Sequence, residues 1–418
     1  MITRSLTLAA VALSVPFFSS CSTPRLLKEP VPSLSRVRDP DFRQAMGSIL
    51  GGAIVGGNRI TTLVNGDQIF PAMLSAIRGA KRTITFETFV FEKGDVPRAF
   101  AEALAERARA GVKVHVILDA HGASKSRVYH SMMEKAGVQL VKYHSLFAFD
   151  IMRYNNRTHR KLLVADGRVA FIGGVGIADQ WSGNAQSPEH WRDCHYRIEG
   201  PAVAQVQAAF VENWIAARKE LLFGPDYFPS LSPKGNSSGN IFFSAPHKGR
   251  YSVPLMYEMA IASAQKSLRI ENAYFIPSEP LMKALVAAAK RGVKIEIILP
   301  GEHMDQKAVA RASKKRWKEL LSAGIALYEY KPTMIHSKLL IADDLFVSVG
   351  SANFDLRSLH LNDEANFNVM DPQFAREQTR LFERDRALSK RVTFETLKNG
   401  SLAEAPLQVV ETPIENQL

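Results

Sequence analysis

The sequence predicts an α/β protein made of two homologous sheet-and-helix lobes in one chain, with the functional site at the lobe interface. Three observations carry that expectation. One motif occurs twice with identical spacing, as THRKLLVADGRVAFIGGVG from Thr158 to Gly176 and as IHSKLLIADDLFVSVGSAN from Ile335 to Asn353. Both copies read His-x-Lys-x4-Asp-x6-Gly-[Gly/Ser]. The stretches before the motifs also correspond, ARAGVKVHVILD matching AKRGVKIEIILP with Gly111 answering Gly292, so a whole lobe is duplicated and not only the motif. Within each half, strand-like and helix-like stretches alternate, as in a sheet covered by helices.

Taken in order, residues 1–21 predict a targeting segment: Arg4, an apolar run from Leu6 to Phe18, then Ser19-Ser20 before Cys21. The run is short for a spanning helix. Ser-Ser-Cys resembles a bacterial lipoprotein processing site, with Cys21 as the lipidated first residue; Phe18 departs from the aliphatic residue usual there, and a cleaved ordinary signal and an uncleaved anchor are the alternatives. Residues 22–57 read as a tether of weak periodicity. The first lobe is expected over 58–222: a strand at Ile60–Val64, a helix at Ile69–Ala80, a strand at Thr83–Phe91, a helix at Val96–Ala110 and a strand at Val112–Leu118. Residues 223–250, rich in Pro, Gly and Ser, read as a connector with NIFFSAP as a candidate strand inside it. The second lobe, 251–392, repeats the order, with a helix at Met256–Ala264, a strand at Ser267–Ile276 and a helix at Glu279–Arg291. Residues 393–418 read as a tail.

The motif has a physical reading. His159 and Lys161 are two residues apart, as are His336 and Lys338, so on a strand each pair points to one face. The apolar residues that follow read as buried strands, and Asp166-Gly167 and Asp343-Asp344 fall where a two-residue hairpin would turn. Folding about that turn sets Gly174 roughly opposite His159, and Ser351 roughly opposite His336. A small residue there is expected to leave room for a ligand beside the imidazole. Each repeat then offers a nucleophile or proton carrier, a fixed cation and a space. Two half-sites facing each other make one site with two His and two Lys.

The chain of 418 residues can hold two domain-sized cores. Its 53 Lys and Arg against 41 Asp and Glu, net +12, favour anionic partners without choosing between nucleic acid and acidic lipid. Cys21 and Cys194 are its two cysteines, so a disulfide framework is not expected.

These residues resemble the phospholipase D superfamily, whose signature is the paired motif. GSANFDLRSLHLNDE from Gly350 to Glu364, WRDCHYRIEGPAV from Trp191 to Val203 and ENAYFIP from Glu271 to Pro277 resemble its bacterial cardiolipin synthase branch. The resemblance covers about residues 60–390. It implies a pair of phospholipase D-like α/β sandwich lobes in which one His, by resemblance His159, attacks phosphorus to form a phosphohistidine while the other moves the proton. It also implies that Lys161 and Lys338 stabilise the phosphoryl oxygens, that Asp193 and Glu364 hold the imidazoles, and that Asn353 donates to a phosphate oxygen. Asp166 and Asp343 belong to the motif and are read as ordering the hairpin. Gly176 stands where an Asn is common, which puts symmetric phosphate binding in question.

No metal and no other cofactor is implied, since Lys is a poor ligand and no His-x3-5-His spacing accompanies the motif. The expected partners are anionic phospholipid substrates and a membrane surface on the periplasmic side of a bacterial envelope. Nucleic acid is not expected, and the oligomeric state is left open. Phosphatidyl transfer to a lipid alcohol is the leading function; hydrolysis through the same intermediate, a nuclease of the superfamily and a non-catalytic binding role are the others. His115, His195, Tyr274 and Phe275 read as core or framework residues. The apolar run Leu146–Met152 reads either as core or as an acyl-chain path.

Overall fold

The structure is a computed structural model that describes Leu27, residues 29–143 and residues 156–397. The targeting segment with Cys21, and the run Leu146–Met152, lie outside those residues. The first lobe contributes β1 (Val55–Val64), β2 (Thr83–Thr88), β3 (Lys113–Asp119), β4 (Gln139–Tyr143), β5 (Leu162–Ala165), β6 (Val169–Gly173) and β7 (Cys194–Glu199). Its chain also carries α1 (Pro40–Leu50), α2 (Asn65–Gly79), α3 (Asp95–Arg109), α4 (Arg127–Lys135) and α5 (Val203–Arg218). The second contributes β8 (Ser237–Ser244), β9 (Ser267–Asn272), β10 (Lys294–Pro300), β11 (Ala326–Tyr330), β12 (Lys338–Ala342), β13 (Phe346–Gly350), β14 (Glu364–Met370) and β15 (Ser389–Arg391). Its helices are α6 (Ser252–Ser263), α7 (Glu279–Lys290), α8 (Lys307–Ser322), α9 (Leu356–His360) and α10 (Pro372–Ala387).

The strands run β15-β11-β10-β9-β12-β13-β14-β8-β1-β7-β6-β5-β2-β3-β4. Apart from β15 the order is a palindrome about the β8–β1 pair, the signature of a duplicated lobe. In each half three strands are parallel, β2-β3-β4 and β9-β10-β11, while the motif strands pair antiparallel. The motif strands alternate with period two. Leu163, Ala165 and Phe171 face a core shared with α2 and α3, and Leu340, Ala342 and Phe346 face one shared with α1, α6 and α7. Their neighbours Leu162, Val164 and Ile172 meet Leu339, Ile341 and Val349 in a single cluster, which also takes in residues of α5 and α10. The motif strands of the two lobes therefore pack against each other, and that packing brings the residues before them together.

Three expectations need correction. The segment read as a tether contains α1, whose Phe42, Met46 and Leu50 are buried in the second lobe's core, Phe42 lying edge-on to Phe346 at 5.5 Å. Its glycines disguised it, yet Pro40 occupies the first turn, where its missing N–H costs nothing, and Gly51 at φ 81° closes the helix. The connector holds the expected strand at NIFFSAP as part of β8, but that strand is no mere link: it is central, paired with both β14 and β1. The hairpins turn over three residues, since Ala165 pairs with Val169 and Ala342 with Phe346.

Candidate active site

The two motifs meet across the lobe boundary through backbone hydrogen bonds. His159 N–H donates to Asp363 O (2.9 Å) and Asp363 N–H to Arg157 O (2.8 Å); in the other half His336 N–H donates to Arg192 O (2.7 Å) and Arg192 N–H to Met334 O (2.9 Å). Each bridge seats a histidine next to the carboxylate that directly follows its bridge partner in sequence, Glu364 at the start of β14 and Asp193 just before β7. The carboxylates are consequently exchanged between lobes: His159 Nδ1 lies 3.0 and 3.1 Å from the oxygens of Glu364, and His336 Nδ1 lies 2.8 Å from Asp193 Oδ2. An acceptor there holds the proton on Nδ1 and leaves Nε2 with its lone pair. Lys161 Nζ donates to His159 O at 2.7 Å, and Lys338 Nζ to His336 O, with the Lys338 ammonium 3.0 and 3.1 Å from the two nitrogens of the His336 ring. All four side chains are buried.

The carboxylates are held differently. Glu364 accepts from Ser351 Oγ and Ser358 Oγ as well as from His159. Asp193 accepts from Trp181 Nε1 (3.1 Å) and from Cys194 N–H (2.7 Å) as well as from His336. The positions read as phosphate-binding space behave otherwise: Ser351 spends its hydroxyl on Glu364, and a Cβ at Gly174 would lie 2.5 Å from Asp193 Oδ1. The room left by each small residue is occupied by the carboxylate of its own lobe, because Gly174 follows β6 beside the start of β7 and Ser351 follows β13 beside the start of β14. Gly176 has a similar cause: a Cβ there would lie 2.8 Å from Val90 Cβ and 2.9 Å from Trp181 Cζ3. Trp181 fills the place, its ring edge-on to His336 at 5.3 Å. Asn353, the counterpart of Gly176, is buried with no partner for its Oδ1 among the described residues.

Burial sets the charge states. It lowers His159 to about 4, against the pull of Glu364, and His336 well below the usual imidazole range with Lys338 and Lys161 adding to the effect, so both rings are neutral near pH 7. Burial also lowers Lys161 to about 7 and Lys338 to about 8, opposed by Glu364 and Asp193 respectively. At Asp193 burial prevails and raises the carboxyl to about 6. At Glu364 burial is outweighed by His159, Lys161 and the Ser351 hydroxyl, and the carboxyl titrates below its ordinary value.

Asp166 and Asp343 are not part of this site. Asp166 accepts the backbone N–H groups of Lys81, Arg82 and Thr83, and Asp343 those of Gln265, Lys266 and Ser267, so each clamps the start of a neighbouring strand. Both sit at φ 53°, which the turn requires. Trp181, Trp191 and Ser358 were not singled out in the sequence; the segment length between motif and carboxylate was the available signal. Tyr274 departs from its reading as sheet core: β9 has ended, and the ring stands 6.1 Å from His336 with its hydroxyl on Asp305. Phe275, stacked on Phe354 at 5.1 Å, is core, and His115 packs edge-on to Trp214 at 4.9 Å. His195 is buried in β7 without a partner for either ring nitrogen among the described residues.

Two lobes that share one pair of His-Lys half-sites, each histidine held by the other lobe's carboxylate, define a phospholipase D-like protein. The chain belongs to the family described as cardiolipin synthase, PLD-like domain, whose model matches residues 73–214 and 257–386. It is 33% identical over 329 residues to cardiolipin synthase 2 of Bacillus cereus, which covers 78% of this chain and 64% of that protein. It is 32% identical over 357 residues to cardiolipin synthase 1 of Staphylococcus aureus, covering 84% and 72%. The chain thus spans about 64% of the length of the Bacillus relative. Phosphatidylserine synthase of Haemophilus influenzae shares the fold, with a TM-score of 0.63 at 14% identity over 84% of this chain and 92% of that one.

Proposed function

We propose that the protein is a phosphatidyltransferase of the cardiolipin synthase type, moving a phosphatidyl group from a phospholipid to the hydroxyl of a second lipid through a phosphohistidine. The observation that carries this reading is the exchanged pairing of His159 with Glu364 and His336 with Asp193, beside Lys161 and Lys338. His159 is the nucleophile. Its carboxylate is kept ionised by His159 itself, by Lys161 and by the Ser351 hydroxyl, which favours positive charge on the ring as the Nε2–P bond forms. The P–O bond to the head group breaks, and the leaving oxygen takes a proton from His336 Nε2, which the His336–Asp193 pair carries in addition to the Nδ1–H that it shares. The acceptor hydroxyl then returns a proton to that pair as its oxygen displaces His159, so the histidines are regenerated and one alcohol replaces another. Lys161, Lys338 and the amide of Asn353 face the phosphoryl oxygens.

The substrates lie in a bilayer, and α8 suits an acidic one, with six basic residues and one acidic residue among its sixteen. No helix among the described residues is long and apolar enough to cross a membrane; attachment through a lipidated Cys21 on the periplasmic side supplies a tether instead. The test is incubation of purified protein with phosphatidylglycerol vesicles and mass spectrometry of the lipids. Cardiolipin with released glycerol is the expected result. Phosphatidic acid alone would make the protein a hydrolase that uses the same intermediate.

A further inference from the structure

The catalytic residues account for one phosphate, whereas transfer between lipids brings two phospholipids together. A cavity of about 400 Å³ lies under α8, outside the carboxyl ends of the parallel strands β9, β10 and β11, where open α/β sheets bind ligands. Its floor is apolar, with Phe275, Met304 and Trp317. Lys307, Arg311 and Lys314 stand at its rim, spaced to share one face of the helix.

Part of that charge is used. Lys307 Nζ donates to Glu302 O at 2.6 Å and Lys314 lies 3.8 Å from Glu329, both residues also lining the cavity. Arg311 is exposed and makes no ion pair or hydrogen bond among the described residues. The corresponding helix of the first lobe differs, since α4 has nine residues to the sixteen of α8 and carries only Arg127 and Lys135 as basic groups besides His130.

The cavity also borders the site on a particular side. Ala273 and Phe275 line it, and Tyr274 between them turns its ring toward His336. The Tyr274 hydroxyl bonds to Asp305, in the short loop that leads into α8. Under the phosphatidyl-transfer reading, on which this inference rests, His336 takes the proton from the incoming hydroxyl. We infer that the cavity beneath α8 holds the acceptor, an anionic phospholipid with a free hydroxyl. Its phosphate meets Arg311 and Lys314, its glyceride carbons lie on Phe275, Met304 and Trp317, and its hydroxyl passes Tyr274 to reach His336. A neutral alcohol offers nothing for the cations to hold, so the rim selects acceptors that carry their own phosphate.

A competition between acceptors tests this. Phosphatidylglycerol vesicles are supplied with ethanol, so that cardiolipin and phosphatidylethanol form from the same phosphohistidine. Their ratio does not depend on the donor step or on the amount of active protein, and taking it also in mixed detergent micelles removes any dependence on vesicle attachment. Arg311→Glu, alone and with Lys314→Glu, is expected to lower the cardiolipin to phosphatidylethanol ratio about tenfold or more, the loss of one charge-assisted contact. An unchanged ratio, with both products reduced together, would mean that α8 only attaches the protein to vesicles and would overturn the inference. Arg311→Gln, a milder change at an exposed position, gives the same comparison should the reversal abolish all product. Wild-type protein that yields phosphatidylethanol and phosphatidic acid but no cardiolipin would instead refute the transfer reading itself.

Discussion

In the proposed transfer His159 and His336 take part in both half-reactions, one on phosphorus and one on the proton, so alanine at either position should lower turnover by roughly a thousandfold or more. Steady-state kinetics checks this, with circular dichroism confirming the fold. A phosphorylated His336 trapped in place of His159 would reverse the roles while leaving the site intact. The pH dependence follows from the neighbours. The His336–Asp193 pair must hold the proton it gives to the leaving oxygen, and burial raises the Asp193 carboxyl to about 6, so kcat/KM should fall as pH rises through that region. Lys161, lowered to about 7, and Lys338, lowered to about 8, must keep their protons, so kcat/KM should fall further above those values. A profile flat from pH 5 to 9 would contradict these assignments. The four charged and imidazole side chains were legible because a fixed spacing announces them. The exchange of carboxylates was not, because spacing along one chain does not say which lobe's strand lies beside which motif. Trp181 was hidden for a related reason: an indole reaching Asp193 does the work that hydroxyls do at Glu364, and nothing in the local sequence marks the substitution.

Among the elements, the motif hairpin separates stability from chemistry. Asp166 gathers three backbone N–H groups at the start of β2, so Asp166→Ala should cost about 1–3 kcal/mol of stability. Denaturant unfolding measures this, and the loss in kcat should be small beside that of the histidine variants. Helix α1 gives a second case. Phe42 is 1% exposed and packs on Phe346, so Phe42→Ala should destabilise the protein by about 3–5 kcal/mol, although the residue precedes the whole first lobe. An effect below about 1 kcal/mol would show that α1 is not held in that core. The strands and helices of the duplicated lobes were readable from periodicity and from each other. Helix α1 was not, because glycine, proline and serine dominate its surroundings; β8 was legible as a candidate strand, but its central place between β14 and β1 was not, since its pattern does not say what it pairs with.

At the scale of the molecule, no helix among the described residues is long and apolar enough to cross a membrane, and the proposed attachment is through a lipidated Cys21. Cys21→Ala should release the protein from the membrane fraction or mislocalise it, with activity on detergent-solubilised lipid retained. Unchanged fractionation, with the first 20 residues still present, would mean that the segment anchors the protein uncleaved. The palindromic sheet explains why the fold class was visible so early: a duplicated lobe repeats every local signal, and each copy corroborates the other. Helix α1 breaks that symmetry, and the break has a consequence for biosynthesis. Its apolar stripe of Phe42, Met46 and Leu50 leaves the ribosome first, but the Phe346 surface that covers it is made roughly 300 residues later, about 15–60 s at ordinary elongation rates of about 5–20 residues per second. For that interval the stripe must be shielded by a chaperone or by the export machinery, and the native core closes only after the last lobe has been synthesised.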